Sequence, residues 1–190
     1  IKICKVYQLA AQNGAPVIGV FDSDGAKLSE GIDAMDAISD ILFASNTVSG
    51  VVPQISIVAG ACVGSSAMIA ANADITIKNK DADFYLNPND INANACLVAN
   101  NDDAAIDMAR ELVSVLPSNN LTVPVAYDFD NSAMPACQGI CDVIDAVADS
   151  GSLIKFDSDN NTIAFGRVGG NACGLVALAQ SKISNIEAAR

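Results

Sequence analysis

The first half of the chain alternates between amphipathic segments and short apolar runs. Apolar positions three and four residues apart predict helices over 1–12 and 31–45. Two apolar runs, "PVIGVFDS" and "VVPQISIVAG", predict buried parallel strands, and the alternating "ADITIK" predicts a third. The turn "GACVGSS" leads into a small-residue helix over 67–71. The order helix, strand, loop, helix, strand, turn, helix, strand predicts a layered α/β fold.

The second half is less regular. The segment 101–120 predicts a helix that Asp102 or Asp103 caps and Pro117 stops. A further helix is predicted over 137–149, and "CLVA" is a weaker strand candidate. "TIAFGRV" and "CGLVALA", joined by "GGN", predict a hairpin. The first helix has a rough apolar stripe, made of Ile1, Val6, Leu9 and Ala10. In the helix over 101–120, the residues expected to face the core are Ile106, Ala109, Leu112 and Val113.

Composition and charge narrow the class of protein. The 190 residues are enough for one domain with a substantial core, and 51% of them are hydrophobic, with no Trp. A formal charge of −12 argues against nucleic acid as a partner, because little here could neutralise a phosphate backbone. A phosphorylated ligand could still bind through backbone amides and a few Lys or Arg side chains.

Histidine is absent from the chain, which excludes Ser-His-Asp and Cys-His nucleophiles and His-dependent metal sites. Zinc at Cys137 and Cys141 would need two further ligands, so no metal site is expected. The six scattered cysteines predict buried free thiols and a cytoplasmic protein. The start at Ile1 without Met suggests part of a longer protein.

The stretch from Pro53 to Ile77 contains the Gly-x-x-x-Gly spacing of packed membrane helices. Polar residues at both ends leave fewer than the ~20 apolar residues that a membrane span needs. No membrane insertion is therefore expected, and the spacing is assigned to a turn between a strand and a helix.

Two loops, "SDGAK" and "GACVGSS", follow the first two predicted strands and lead into helices. Ligands of α/β sheets bind beyond the carboxyl ends of strands, where loops expose their amides. One amide from each loop, converging on one oxygen, would form an oxyanion hole. The alternative, that small residues here only permit close helix–sheet packing, is equally consistent with the loops alone.

The segments "GAPVIGVFDSDGAKLSEGIDA" and "VPQISIVAGACVGSSAMIAANADITI" resemble the biotin-dependent acyl-CoA carboxyltransferase family. So do, further along and in the same order, "DMARELVSVLPSNN", "VIDAVADSGSLIKF" and "FGRVGGNACGLVA". The resemblance is collinear over nearly the whole chain. It departs from the family pattern at Asp24 (usually Gly), Lys27 (usually Arg) and Ser65 (usually Gly), and 88–95 is shorter than expected.

The resemblance implies a crotonase-like (ClpP/crotonase) spiral of ββα units, the N-terminal carboxyltransferase domain of two homologous halves. Residues 1–165 would be the acyl-CoA-binding domain, with a linker-like stretch at 121–136, and 166–190 would lead toward the second half. The implied oxyanion hole consists of the backbone at Ala26 and at Gly64 or Ser65, with Gly25 beside them. The implied substrate-binding positions are Lys27, Gly60, Ala61 and Cys62.

The resemblance also implies the reaction and its partners. A carboxyl group would move between carboxybiotin and an acyl-CoA of the acetyl-, propionyl- or methylmalonyl-CoA class through an enolate. Biotin would arrive on a biotin carboxyl carrier protein, and a second carboxyltransferase half and further subunits would complete a homo-oligomer. Two alternatives stay open: a non-catalytic assembly subunit, and a hydratase or isomerase, although "SSAMIAANAD" lacks the Glu residues that such enzymes usually need.

Several other residues have two interpretations. Asp22, Asp24 and Glu30 could act as acids, bases or cation ligands, but Asp22 and Glu30 are expected to hold loop amides and helix ends instead. Lys27 could pair with CoA phosphates or with Glu30. Arg167 could form either an ion pair on the surface or a contact with another subunit. Phe84 and Tyr85 are expected in the core.

Overall fold

The computed structural model describes residues 2–87, 97–124, 126–128, 140–158 and 161–178. Its internal contacts separate two compact units. The first comprises Ile1–Val113 with Pro117–Thr122, and the second comprises Ser114–Leu116 with Val123–Arg190. Within the described ranges, no helix is both long and apolar enough to cross a membrane.

The first unit is built on a five-stranded sheet in which every pairing is parallel. The strands lie in the order β1-β2-β3-β5, and β4 pairs with β2 off this path. The strands are β1 (Val17–Ser23), β2 (Gln54–Val63), β3 (Ile75–Asn79), β4 (Phe84–Tyr85) and β5 (Leu97–Ala99). The helices are α1 (Lys2–Asn13), α2 (Ile32–Val48), α3 (Ser65–Ala71) and α4 (Asp102–Val115). A 3-10 turn lies at Leu28–Glu30. The predicted order of elements is confirmed.

The strand β2 is the central element of the sheet. It pairs with β1 on one side and with β3 on the other, and α3 packs against it. Ile55, Val58 and Cys62 on this strand are fully buried. Val58 and Cys62 share a core cluster with small residues of α3 and with Phe84, as predicted for Phe84. The run of apolar letters in "QISIV" therefore marks a buried strand.

The prediction that the first strand is buried is wrong, and two residues of the apolar stripe on α1 are exposed. The strand β1 buries only Val17, whereas Ile18 and Val20 are exposed, because these alternate residues share a face of the sheet that the described residues leave uncovered. On α1 only Ala10 is buried, and the predicted stripe residues Val6 and Leu9 are about half exposed. An apolar stripe shows which face of a helix favours contact, and the described residues leave most of this one uncovered.

The helix α4 also differs in detail from its prediction. The N-cap is Asn101, whose Oδ1 accepts a hydrogen bond of 2.8 Å from the amide of Ala104, three residues into the turn. Asp102 instead accepts a hydrogen bond from Asn79. The buried face is shifted by one residue, because Ile106 is 42% exposed. The residues fully or almost fully buried on this helix are Ala105, Ala109 and Leu112.

The second unit contains α5 (Ile140–Val147) and an antiparallel sheet of β6 (Ile154–Ser158), β7 (Asn161–Val168) and β8 (Asn171–Leu178). The predicted hairpin is confirmed, with Gly169 and Gly170 as its two-residue turn at positive φ. The Asp149 carboxylate accepts both turn amides, at 2.9 and 2.7 Å. Arg167 lies over the ring of Tyr127, 3.7 Å from its centroid, a contact that neither interpretation of Arg167 included.

Some predictions fall outside the described residues. The shortened segment at 88–95 is one, Cys137 is another, and most of the linker-like stretch at 121–136 is a third. The described cysteines Cys4, Cys62 and Cys173 are free thiols, but only Cys62 is fully buried.

Candidate active site

The first two strands end at the same edge of the sheet, and their pairing is irregular there. Regular parallel register runs from Val17 opposite Gln54 to Phe21 opposite Val58. Two residues later, Ser23 lies opposite Cys62, so β2 advances four residues while β1 advances two. This bulge brings the two predicted loops alongside one another.

A carboxylate near the end of β1 stabilises the bulge. Asp22 Oδ1 accepts a hydrogen bond of 3.1 Å from the amide of Ala61. The neighbouring Gly60 has no side chain, and a Cβ at this position would lie 2.7 Å from Asp22 Cγ. Glycine is therefore required at residue 60 for the carboxylate to reach the bulge. The interpretation of Asp22 as a holder of loop amides is confirmed.

The start of α3 makes two more contacts with the first loop. The buried Ser66 hydroxyl donates a hydrogen bond of 2.9 Å to the carbonyl of Ser23. The Ser65 hydroxyl accepts a hydrogen bond of 2.9 Å from the amide of Ala26. Gly25, at φ 98°, allows this approach, because a Cβ there would lie 2.9 Å from the Val63 carbonyl oxygen. The two loops that the sequence singled out are thus in direct contact.

The amides of the second loop differ in what they contact. The Gly64 amide donates to the Tyr85 carbonyl at 3.1 Å, and the Cys62 amide donates to the Asp83 carbonyl at 2.8 Å. Both acceptors belong to β4 and the turn before it, which the sequence pattern did not predict because two residues are too few to show a period. Among the described residues we find no acceptor for the Ser65 amide. Of the two alternatives for the second donor, this arrangement favours Ser65.

Cys62 contributes no reactive thiol to the site. Its side chain is 0% exposed, and burial raises the pKa of the thiol to about 11. The thiol is therefore neutral near pH 7 and is neither a nucleophile nor a metal ligand there. Its side chain lies in the core cluster and its amide donates to the Asp83 carbonyl, whereas the substrate-binding roles of Cys62, Gly60 and Ala61 stay predictions.

The charged residues of the first loop are exposed. The Lys27 ammonium lies 3.8 Å from the Glu30 carboxylate, and both side chains are more than half exposed. This is the Glu30 pairing that was one of two interpretations for Lys27, and an exposed pair of this kind stabilises little. Such a lysine can exchange Glu30 for an anionic ligand at small cost. Asp24, on the same loop, is exposed as well.

Known proteins are similar to this chain in sequence and in fold. Residues 1–88 match the family model of the carboxyl transferase domain. The chain is 31% identical to the methylmalonyl-CoA decarboxylase subunit alpha of Veillonella parvula, over 93% of this chain and 43% of that protein. It is 30% identical to the propionyl-CoA carboxylase carboxyltransferase subunit of Haloferax mediterranei, over 93% of this chain and 42% of that protein.

The chain thus spans less than half the length of these relatives. The Veillonella alignment covers 219 positions, more than the 190 residues of this chain, so the relative contains residues with no counterpart here. This agrees with a chain that is shorter than the family pattern.

A solved structure gives the same result for the fold. The transcarboxylase 12S subunit, crystallised with hydrolysed methylmalonyl-coenzyme A bound, matches 95% of this chain and 44% of its own with a TM-score of 0.81 and 29% identity. The expected crotonase-like α/β fold is confirmed. The motifs, the family model and the fold agree, and the chain is a relative of the acyl-CoA carboxyltransferases.

Proposed function

We propose that this chain is the acyl-CoA-binding half of a biotin-dependent carboxyltransferase, acting on an acyl-CoA of the acetyl-, propionyl- or methylmalonyl-CoA class. The observation that carries the proposal is the contact between the two loops, in which the Ala26 amide lies 2.9 Å from Ser65 Oγ. A packing role for the small residues alone would not require this polar contact. The relatives, which are acyl-CoA carboxyltransferase and decarboxylase subunits, support the same assignment.

The proposed oxyanion hole consists of the amides of Ala26 and Ser65, with Gly25 between the loops. A thioester oxygen acquires negative charge as the α-carbon loses its proton, and donors fixed in advance stabilise that charge without reorganising. The Asp22–Ala61 and Ser66–Ser23 hydrogen bonds hold the two loops in register. Lys27 would release Glu30 to pair with phosphates of CoA, and Gly60 and Ala61 would line the approach.

The chemistry of the carboxyl group would come from outside this chain. Biotin, delivered by a biotin carboxyl carrier protein, supplies the carboxyl group and the base for the α-proton when it is bound. This fits a chain that contains no histidine. The contribution of the chain itself is to bind the thioester, orient it and hold its oxygen at the two amides.

Isothermal titration tests the proposal directly. The protein expressed from its full reading frame is titrated with acetyl-, propionyl- and methylmalonyl-CoA, and with dephospho-CoA as a control for the phosphate contacts. Saturable binding of at least one thioester is expected. Binding of none of the three would contradict the proposal.

A second candidate is a non-catalytic assembly subunit that keeps the fold. The specific observation in its favour is that Asp24 adds an exposed carboxylate to the loop that contains the Ala26 amide. This candidate predicts that the protein joins a carboxyltransferase complex but fails to bind any CoA ester. The titration above therefore separates the two candidates.

The remaining features of the proposal concern the whole protein. We place the boundary of the acyl-CoA-binding domain near residue 165, with a second carboxyltransferase half and further subunits completing a homo-oligomer. The related transcarboxylase 12S protein assembles as a hexamer, which supports an oligomer here. The free thiols Cys4, Cys62 and Cys173 support a cytoplasmic location.

A further inference from the structure

The Ser65 side chain occupies an unusual position for a residue beside an oxyanion hole. Its hydroxyl oxygen lies 2.9 Å from the Ala26 amide, the distance at which an oxyanion would lie from the same donor. The Ser65 hydroxyl therefore occupies the acceptor position at the Ala26 amide, one of the two donors of the proposed hole.

We propose that the Ser65 hydroxyl acts as a plug that occupies the oxyanion hole until a thioester oxygen displaces it. This inference rests on the proposed function. It identifies Ser65 as the residue that sets how much more tightly the site binds a thioester than a CoA ligand without the carbonyl. Displacement requires only a change of the Ser65 χ1 angle, a movement that side chains make on the picosecond to nanosecond scale. The hydroxyl can then bond to water or to the ligand.

The surroundings of Ser65 support a plug that moves without unfolding the site. Ser65 is partly exposed, whereas the next residue, Ser66, is 7% exposed and fixes α3 to the Ser23 carbonyl. The first loop is positioned separately by Asp22. Loss of the Ser65 contact would therefore leave the two loops attached to one another by two other hydrogen bonds.

The plug has a measurable consequence for affinity. A thioester must replace the Ser65–Ala26 hydrogen bond before it gains its own, and a net protein hydrogen bond corresponds to about a two- to tenfold change in an equilibrium constant. A ligand without the carbonyl, such as the S-propyl thioether of CoA, does not compete for the Ala26 amide. Removing the hydroxyl should therefore favour thioesters alone.

The test compares Ser65→Ala with the unmodified protein, in the protein expressed from its full reading frame, by titration with propionyl-CoA and with S-propyl-CoA. We expect propionyl-CoA to bind about two- to tenfold more tightly to Ser65→Ala, with no change for S-propyl-CoA. Ser65→Thr, which keeps a hydroxyl, should retain the unmodified ratio of the two affinities. Ser66→Ala is the matched control. We expect it to lower the thermal stability without raising the affinity for propionyl-CoA relative to that for S-propyl-CoA.

Three outcomes overturn the plug. An unchanged ratio in Ser65→Ala would mean that the hydroxyl does not compete with the carbonyl. A lower ratio would mean that the hydroxyl donates to the substrate oxygen instead. Unaltered hydrogen exchange of the Ala26 amide, measured by mass spectrometry with fragmentation to single residues, would show that the bond itself does not protect that amide.

The exchange measurement also separates this inference from the proposed function. Faster exchange at Ala26 in Ser65→Ala, together with no binding of either ligand to any variant, would contradict the acyl-CoA function and with it the plug, while the hydrogen bond stands. Binding of both ligands with an unchanged ratio would support the function and overturn only the plug.

Discussion

The Asp22 carboxylate joins the two loops of the candidate site, because its Oδ1 accepts a hydrogen bond of 3.1 Å from the Ala61 amide across a bulge in β2. The two residues are 39 positions apart in the chain. This bond fixes the separation of the loops that present Ala26 and Ser65. Asp22 is thus a positioning residue, and its removal should affect ligand binding more than folding.

Asp22→Ala should loosen the second loop, since the Ala61 amide loses its acceptor. Because the bond is solvent-exposed, we expect the free energy of unfolding to fall by only about 1 kcal/mol in urea titration, while propionyl-CoA affinity falls about tenfold. Asp22→Asn, which keeps a carbonyl oxygen as acceptor, should retain most of the stability and most of the affinity for propionyl-CoA. Asp36→Ala, an exposed position on α2, is the control for removing a carboxylate. Equal effects of Asp22→Ala and Asp36→Ala would contradict the positioning role.

Gly60→Ala should destabilise the protein, because the new Cβ would lie 2.7 Å from Asp22 Cγ and the carboxylate must move. Because the exposed carboxylate can move away, we expect the free energy of unfolding to fall by about 1 kcal/mol in urea titration, as in Asp22→Ala. In the Asp22→Ala background the obstruction is gone, so the same substitution should cost clearly less. A double-mutant cycle with no coupling between the two sites would contradict this account.

The first two loops could be predicted because each follows a short apolar run that ends in glycine and small polar residues. The hydrogen bond between Asp22 and Ala61, which joins the two loops, could not be predicted from the sequence. Asp22, Asp24 and Glu30 look alike in sequence, and only the bulge at β2 selects Asp22 as the holder of the Ala61 amide. The bulged end of β2 pairs with β4, a two-residue strand with no periodicity to detect.

Burial was harder to predict than secondary structure. The apolar letters of β1 and α1 correctly predicted a strand and a helix, but Val20 and Leu9 are exposed in the described chain. Hydrophobic periodicity identifies the face that prefers contact, whereas coverage depends on elements distant in sequence or on other chains. The role of Ser65 was likewise hidden, because a serine in a turn gives no sign of where its hydroxyl points.

Ser45→Ala should be more damaging than its small volume suggests. The buried Ser45 hydroxyl donates to Gln54 Oε1 at 2.6 Å and accepts from Asn72 Nδ2 at 2.9 Å, which links α2 to β2 and to the end of α3. Removing it leaves a buried amide oxygen without this donor, so we expect a loss of about 1–3 kcal/mol in urea unfolding. Thr47→Ala, exposed on the same helix, should change stability by less than about 0.5 kcal/mol. Similar losses in both would contradict the network.

Cys62 should resist alkylation in the native protein. Burial raises the pKa of its thiol to about 11, so both thiolate content and access are low at pH 8. Iodoacetamide labelling followed by peptide mass spectrometry should modify the partly exposed Cys4 and Cys173 first, and Cys62 only after addition of urea. Native labelling of Cys62 at the rate of Cys4 would contradict its burial.

The same shift links Cys62 to stability at high pH. The folded-state pKa lies above the ordinary value of 9.0, so the unfolded chain ionises first as the pH rises. Stability from the neutral thiol is therefore complete below about pH 9 and is lost as the pH approaches 11. Cys62→Ala, although less stable overall, should lose less stability between pH 8 and 10.5 than the unmodified protein.

Asp24→Asn should strengthen binding of CoA thioesters, because Asp24 is two residues before Ala26 and adds negative charge where a polyanionic ligand and a developing enolate must be accommodated. We expect an increase of about two- to fivefold in propionyl-CoA affinity at low ionic strength, which disappears near 0.5 M salt as screening shortens the range of the charge. Asp36→Asn makes the same change in net charge on α2 and should have a smaller effect. If the two variants show equal affinities at every salt concentration, the charge of Asp24 has no local influence on the site.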